Sequence, residues 1–215
     1  MALSVSHLTR KAKREAICVL CQAFERDPVF CYFFPGATER WQAFALIFSD
    51  LITANLRFRS VYVATDHGKL VGAAIWRTPD AKDSVIDGIR TAIAQRRLRL
   101  ISEDAARGLA IGFGTLGALH PEGPHWYLAF VGVAPDRQRG GVGGTLLSPV
   151  LAAADSAQVP CYLETPFPET HAFYRRLGFE LLDQRSPFPG AGPIWRMQRP
   201  PRDRDSDYRL LSGVR

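Results

Sequence analysis

Four glycines fall within five positions, Gly140, Gly141, Gly143 and Gly144, between an apolar run that ends at Val133 and a segment of helical periodicity. The run from Trp126 to Val133 has β character and stops at Pro135. Beyond the glycines, Leu146, Leu147, Val150, Leu151 and Ala154 recur at helical spacing. A strand, a glycine loop and a helix in that order leave little freedom. Without side chains the loop reaches backbone angles closed to other residues, and a ligand's oxygens can approach main-chain N–H groups. The helix start adds unpaired donors and a partial positive charge, so the arrangement suits a phosphate. Arg137 and Arg139 would add formal charge beside it. The same glycines also serve a plain tight turn. The dinucleotide fingerprint is excluded, because the spacing is not G-x-G-x-x-G and no β-α-β repeat precedes it.

Gln138-x-x-Gly141-x-Gly143, preceded by Val133-x-Pro135, resembles the pyrophosphate-binding signature of the GNAT superfamily of N-acetyltransferases. The likeness continues downstream. Glu164-Thr165 ends a second apolar strand, and His171 to Phe179 is similar to that family's second block, with Tyr174 four residues before Gly178-Phe179. Within the superfamily, His125 to Leu128, Leu163 to Thr165, Phe173 to Phe179 and the early Ala23-Phe24 with Asp27-Pro28 look most like the puromycin N-acetyltransferase-type branch. The resemblance implies an α/β (α+β) fold, a mostly antiparallel mixed sheet splayed between two parallel strands and flanked by helices. It implies acetyl-coenzyme A as cosubstrate, no metal, and a small-molecule primary amine as acceptor.

The chain has 215 residues, 47% of them hydrophobic, which suits a single domain over 1–199 with a charged tail over 200–215 expected to be disordered. Net charge is +6, much of it in Arg96-Arg97-x-Arg99 and Lys11 to Arg14. No nucleic-acid module accompanies these clusters, and a cofactor with three phosphate groups accounts for part of the excess. Cys18-x-x-Cys21 lies in a helix-period run with no second ligand pair at zinc spacing, so buried free thiols are expected. No secretory or membrane-spanning apolar run is present in the sequence, and a cytoplasmic monomer or homodimer is expected, with neither membrane nor nucleic acid as partner.

In chain order, the pattern predicts a first strand within 1–8, a helix over 11–24 ended by Asp27-Pro28, and an aromatic segment over 29–35. A helix follows over 38–55 with Thr38 as its cap, then a hairpin of strands over 60–65 and 70–76 turning at Asp66 to Lys69. Residues 83–120 read as two helices split near Ser102, the second loosened by Gly108, Gly112, Gly114 and Gly117. They form a lid over the acceptor site or plain scaffold. Gly132 marks a bulge or a close backbone approach in the central strand. Pro149 should kink the following helix. Strands over 160–165, 179–182 and 194–198 and a short helix over 169–177 complete the pattern.

What the resemblance implies for chemistry attaches to particular residues. Gln138, Arg139, Gly140, Gly141, Val142, Gly143 and Gly144 hold the diphosphate. Phe130, Val131 and Val133 offer main-chain groups to the pantetheine arm, and His171 lies near the thiol. Tyr174 is the expected general acid, since a phenol stays protonated at neutral pH. Glu164 is the first candidate for general base and His125 the second. Phe30, Tyr32 and Trp76 are candidates to wall the acceptor pocket. Many superfamily members carry Asn seven residues before the Tyr; here Phe167 stands there, leaving Thr170 or His171 to replace its contact. Two further readings stay open: a protein acetyltransferase acting on Lys or an N-terminal amine, and a non-catalytic acetyl-coenzyme A sensor.

Overall fold

The computed structural model describes residues 3–81, 85–188 and 190–202. Its middle strand, β3 (Lys69–Arg77), is buried from Leu70 through Trp76, so both of its faces are covered. Around it runs the order β1 (Ser4–His7), α1 (Lys13–Ala23), α2 (Pro28–Phe33), α3 (Ala37–Leu56), β2 (Val61–Asp66), β3, α4 (Val85–Ile101), α5 (Glu103–Ala118), β4 (Trp126–Val133), α6 (Val142–Ala157), β5 (Cys161–Thr165), α7 (His171–Arg176), β6 (Glu180–Arg185) and β7 (Ile194–Arg199). The strands form one sheet in the order β1-β2-β3-β4-β5-β7-β6. Every pairing is antiparallel except β4 with β5.

Two apolar layers sandwich the sheet. Ala73 and Ile75 of β3 face α1, α2, α3 and α5, meeting Leu20, Phe44, Phe48 and Leu109. Ala74 and Trp76 face α6 and α7, meeting Leu146, Val150 and Tyr174. The period-two alternation of a strand thus feeds both layers. The β2–β3 hairpin turns at His67 (φ 49°) and Gly68 (φ 79°), the left-handed pair a two-residue turn requires.

Several local expectations need correcting. Asp27-Pro28 does end α1, but it also starts α2. The Asp27 side chain accepts the Phe30 N–H at 3.0 Å and Pro28 occupies the first turn, so the aromatic segment is helical. α3 is capped at Gly36, not at Thr38. The bulge in β4 falls at Ala129: Ile75 pairs with Phe130 and the next residue, Trp76, with Leu128. Of the two readings of Gly132 the close approach holds, since a Cβ there would stand 2.7 Å from the Ala23 Cβ of α1 and 3.1 Å from Leu20. α6 runs on through Pro149, and the Thr145 carbonyl that loses its N–H partner accepts the Ser148 hydroxyl at 2.9 Å. No helix among the described residues is long and apolar enough to cross a membrane.

The end of the sheet is tied to α6 by Arg199, whose side chain is 3% exposed and donates to both Asp155 oxygens at 2.7 Å. Asp155 also accepts the Arg202 N–H at 2.8 Å, so the first residues of the charged tail are held; residues 203–215 lie outside the described part. Burial raises the Asp155 carboxyl, but the bonds from Arg199 and Arg202 outweigh it and leave it below the usual 3.8. Asp155→Ala should strand the Arg199 charge and cost about 2–4 kcal/mol in chemical denaturation at pH 7. Because the folded value is depressed, the wild-type advantage should be complete above pH 3.8 and fade as the pH falls through the folded value.

Candidate active site

β4 and β5 pair only at Trp126 with Cys161, Tyr127 with Tyr162 and Leu128 with Leu163. Past that point β5 pairs with β7 alone, as far as Thr165 with Trp195. The facing edge of β4, from the Ala129 bulge to Val133, is left without a strand partner. A cleft of about 840 Å³ opens there, lined by Phe130, Val131 and Val133 of β4, by Glu164 at the end of β5 and by Tyr174 of α7.

One part of this cleft is the start of α6. Gly141 is its N-cap at φ 80° and provides no capping side chain, so the first N–H groups are left for another acceptor. Gly141, Gly143 and Gly144 line the cleft. A Cβ on Gly143 would stand 3.2 Å from the Phe173 ring and fill the cradle. Gln138 donates to the Val133 carbonyl at 3.1 Å and so braces the loop against the strand. Arg139 lines the cleft from a left-handed position (φ 63°). Arg137 lines it too, but its charge is shared with the buried carboxylate of Asp66. Gly140 and Val142 are not among the lining residues; the Val142 side chain is buried against the sheet.

Deeper in the cleft the Glu164 side chain is 5% exposed. Burial pushes its carboxyl up to about 7, against the opposing effects of the Tyr162 and Tyr127 hydroxyls and the Arg196 charge. Tyr162 and Glu164 are two apart on β5, hence on one face. Arg196, opposite Glu164 in register, donates to the Tyr162 hydroxyl at 2.8 Å, to both Asp183 oxygens and to the Leu119 carbonyl. That last bond fixes the end of α5 beside β5. The next residue, His120, has its Nε2 3.6 Å from Glu164 Oε1. A carboxyl that loses its proton near neutrality, in a cleft beside a main-chain anion cradle, has the properties of a general base.

Tyr174 is buried beneath Phe173 and Phe179, and burial alone raises its phenol above the ordinary value, so it carries its proton at pH 7. The loop before it is closed by threonines. Phe167 N–H donates to Thr165 Oγ1 at 3.2 Å, and Thr170 donates to the Phe167 carbonyl at 2.7 Å. Phe167 and Thr170 line the cleft; His171 does not, and packs on Trp195 with a centroid distance of 5.2 Å.

The other expected residues divide. Phe30 lines the cleft. Tyr32 is 53% exposed and covers Gly190, and Trp76 is wholly buried under α6 beside Trp126, so neither walls the pocket. His125 stands outside the cleft, behind His120. From the 83–120 insertion, α5 supplies Phe113 and Leu116 to the wall, while α4 packs on α3 through Arg90 and Asp50 at 2.7 Å. Gly108 and Gly112 admit the rings of Phe33 and Phe188. Sequence reasoning missed His120, Tyr127, Tyr162 and Arg196, and also Asp27, a buried lining carboxyl raised by burial to about 6. Only the two-residue spacing of Tyr162 and Glu164 hinted at this set.

Residues 21–179 match the family model of the Acetyltransferase (GNAT) family, and the chain belongs to that family. Solved structures share its fold. One is a histone acetyltransferase HPA2 and related acetyltransferase from Corynebacterium glutamicum, 24% identical, with a TM-score of 0.67, covering 94% of this chain and 98% of that one. Another is the PaiA N-acetyltransferase of Thermoplasma acidophilum in complex with coenzyme A, 11% identical, with a TM-score of 0.58, covering 93% and 99%. A third is the polyamine N-acetyltransferase of Drosophila melanogaster, 15% identical, with a TM-score of 0.54, covering 93% and 100%. The family uses acetyl-coenzyme A, and the bare α6 cradle and free β4 edge fit a pyrophosphate and a pantetheine arm. Gly143→Leu should weaken coenzyme A binding by roughly 100-fold, about 2.7 kcal/mol by calorimetry. Folding stability should fall by no more than about 1–3 kcal/mol, since the Phe173 ring must move aside, and the variant should remain folded.

Proposed function

We propose that this protein transfers the acetyl group of acetyl-coenzyme A to the primary amine of a small molecule. The observation that carries the reading is Glu164: a carboxyl poised near pH 7 in the same cleft as the main-chain cradle and the protonated phenol of Tyr174. Acetyl-coenzyme A, when bound, supplies the thioester. The chain supplies the rest. Glu164 takes a proton from the acceptor ammonium, directly or through a water, and frees its lone pair. A main-chain N–H of β4 near Val131 bonds the carbonyl oxygen as negative charge gathers there. As the C–N bond forms and the C–S bond breaks, Tyr174 gives its proton to the leaving sulfur, and the second proton of the attacking nitrogen returns to the Tyr174 phenolate, directly or through a water, leaving a neutral amide and a free thiol.

Acceptor size follows from the walls. Phe30, Phe113, Leu116 and Phe188 narrow the cleft with apolar surface, and Asp27 and Glu164 favour a cation. Such a pocket fits a compact amine with an apolar body better than a polypeptide chain. Motif likeness to the puromycin-type branch, in His125 to Leu128 and Phe173 to Phe179, makes an aminonucleoside the first acceptor to test.

Thiol release from acetyl-coenzyme A should be detected with at least one primary amine in a panel that includes puromycin; silence across the panel with coenzyme A bound would leave only a sensor. Tyr174→Phe should bind coenzyme A like wild type and turn over roughly 100-fold more slowly. Wild-type kcat/KM should rise as the pH climbs through about 7, the range in which Glu164 ionises. Glu164→Gln should flatten that rise and lower the rate by roughly 100-fold. It should also be more stable than wild type above pH 7. A raised folded value favours folding below the usual 4.5 and loses that advantage as the pH passes about 7.

A further inference from the structure

Behind Tyr127 lies a second cleft of about 260 Å³, lined by Arg77, Thr78, His120, Gly123, His125 and Tyr127 among others. Tyr127 borders both clefts; Glu164 lines only the first and the two histidines only the second. His120 bridges the gap. Its Nε2 is 3.6 Å from Glu164 Oε1 and its Nδ1 is 3.2 Å from His125 Nε2. His125 Nδ1 is 2.9 Å from the carbonyl of Gly123, an exposed residue.

For two neutral rings these contacts allow one placement of the protons. A carbonyl has none to give, so His125 Nδ1 carries one and donates it to Gly123. In a neutral ring His125 Nε2 is then an acceptor, and His120 Nδ1 must be the donor to it. Neutral His120 is left with a lone pair on Nε2, facing Glu164. Burial, with His125, Arg77 and Arg196 nearby, lowers His120 to about 4 and keeps it neutral at pH 7. Glu164 Oε1 is buried without a hydrogen-bond partner. Protonated Glu164 would give that oxygen and His120 Nε2 a shared bond after a small closing movement.

We infer that His120 and His125 form a relay that carries the proton taken up by Glu164 out of the cleft to water in the second cleft. The inference rests on the acetyl-transfer reading. Glu164 is almost sealed from water, and a bound acceptor and cosubstrate would fill the cleft on its other side. One turnover balances as follows. The proton on Glu164 passes to His120 Nε2, the Nδ1 proton of His120 passes to His125 Nε2, and the Nδ1 proton of His125 breaks its bond to the Gly123 carbonyl and passes to water of the second cleft. Glu164 is again a carboxylate and both rings are neutral with their proton on Nε2; each ring then loses that proton to water of the second cleft, which both rings line, and takes one up on Nδ1, which restores the starting tautomers. The other groups facing this path are Tyr127, Tyr162, Arg77 and Arg196, with Asp183 paired to Arg196.

His125→Gln keeps a polar side chain of similar reach but cannot exchange protons through two nitrogens. Measured by thiol release with the best amine of the panel, it should lower kcat about tenfold. Amine KM and coenzyme A affinity should stay as in wild type, and the solvent deuterium effect on kcat should be larger. His125→Ala should lose the same activity and regain it with added imidazole, which fits the second cleft. Nitrogen-15 NMR of the free protein at pH 7 should show His120 and His125 both protonated on Nδ1. Undiminished kcat in His125→Gln, no rescue by imidazole, or His120 protonated on Nε2 would each overturn the relay. A wild-type protein that releases no thiol with any amine would instead overturn the acetyl-transfer reading, and the relay's role with it.

Discussion

Where β4 and β5 part, the sheet gives up backbone pairing that parallel neighbours normally complete, and the rest of the site follows from that gap. Three paired residues hold the strands together at Trp126 to Leu128, and the bulge at Ala129 then turns β4 away. Exposed main-chain donors and acceptors cannot remain unpaired inside a protein unless a ligand or water takes them. A mouth between parted strands therefore suits a ligand that can complete the strand. α1 holds the parted strand from behind. Its Ala23 and Leu20 press on Gly132 so closely that no side chain fits, which ties the free edge to the larger core layer. The start of α6 brings its unpaired amides to the same mouth, and Gln138 links loop to strand through the Val133 carbonyl. Phosphate seat and strand edge are thus parts of one rigid unit.

Charge is laid out along this mouth with opposite purposes. Beside α6, Arg139 and the helix start favour an anion, and Arg137 is tempered by Asp66. Around Glu164 the protein does the reverse, placing a carboxyl where its ionised form is poorly solvated. Holding that carboxyl near 7 in place of 4.5 means that ionising it at high pH opposes folding by up to about 3 kcal/mol. Natural stability margins are of similar order, so the expense has to be met elsewhere. Arg196 contributes by binding Asp183, Tyr162 and the end of α5 together, keeping the aromatic wall in place without itself bonding Glu164.

Much of the fold was legible because it is written locally. The β2–β3 hairpin, the break at Ser102 and the strand-loop-helix of β4 and α6 each carry their signal within a few residues, as turn residues, a cap or a period. The same locality explains the errors. Asp27-Pro28 signals a stop to the helix before it and a start to the helix after it, so one dipeptide carries two meanings. Trp76 reads as an aromatic on the strand next to the site, but alternation turns it into the α6 layer, where it is fully buried. The Glu164 surroundings were not legible in the same way. His120, Tyr127, Tyr162 and Arg196 come from three strands and the loop after α5, and meet only after β4, β5 and β7 have taken their register.

That distinction between local and assembled features also accounts for the departure at Phe167. The loop between β5 and α7, where the Asn of many relatives would contact the cofactor, is closed by Thr165 and Thr170 through bonds to Phe167's own N–H and carbonyl. The backbone is thereby satisfied within the loop, and the Phe167 side chain is free to line the cleft as apolar surface. Tyr174 follows one turn later on α7, packed between Phe173 and Phe179, so its phenol sits in an apolar lining. Such surroundings suit the role proposed for Tyr174, keeping its proton until a thiolate appears beside it, because a strong negative charge arriving in a dry site makes the transfer favourable. In the proposed mechanism, with Phe167 adding apolar surface to the same cleft, the proton for the sulfur comes from Tyr174.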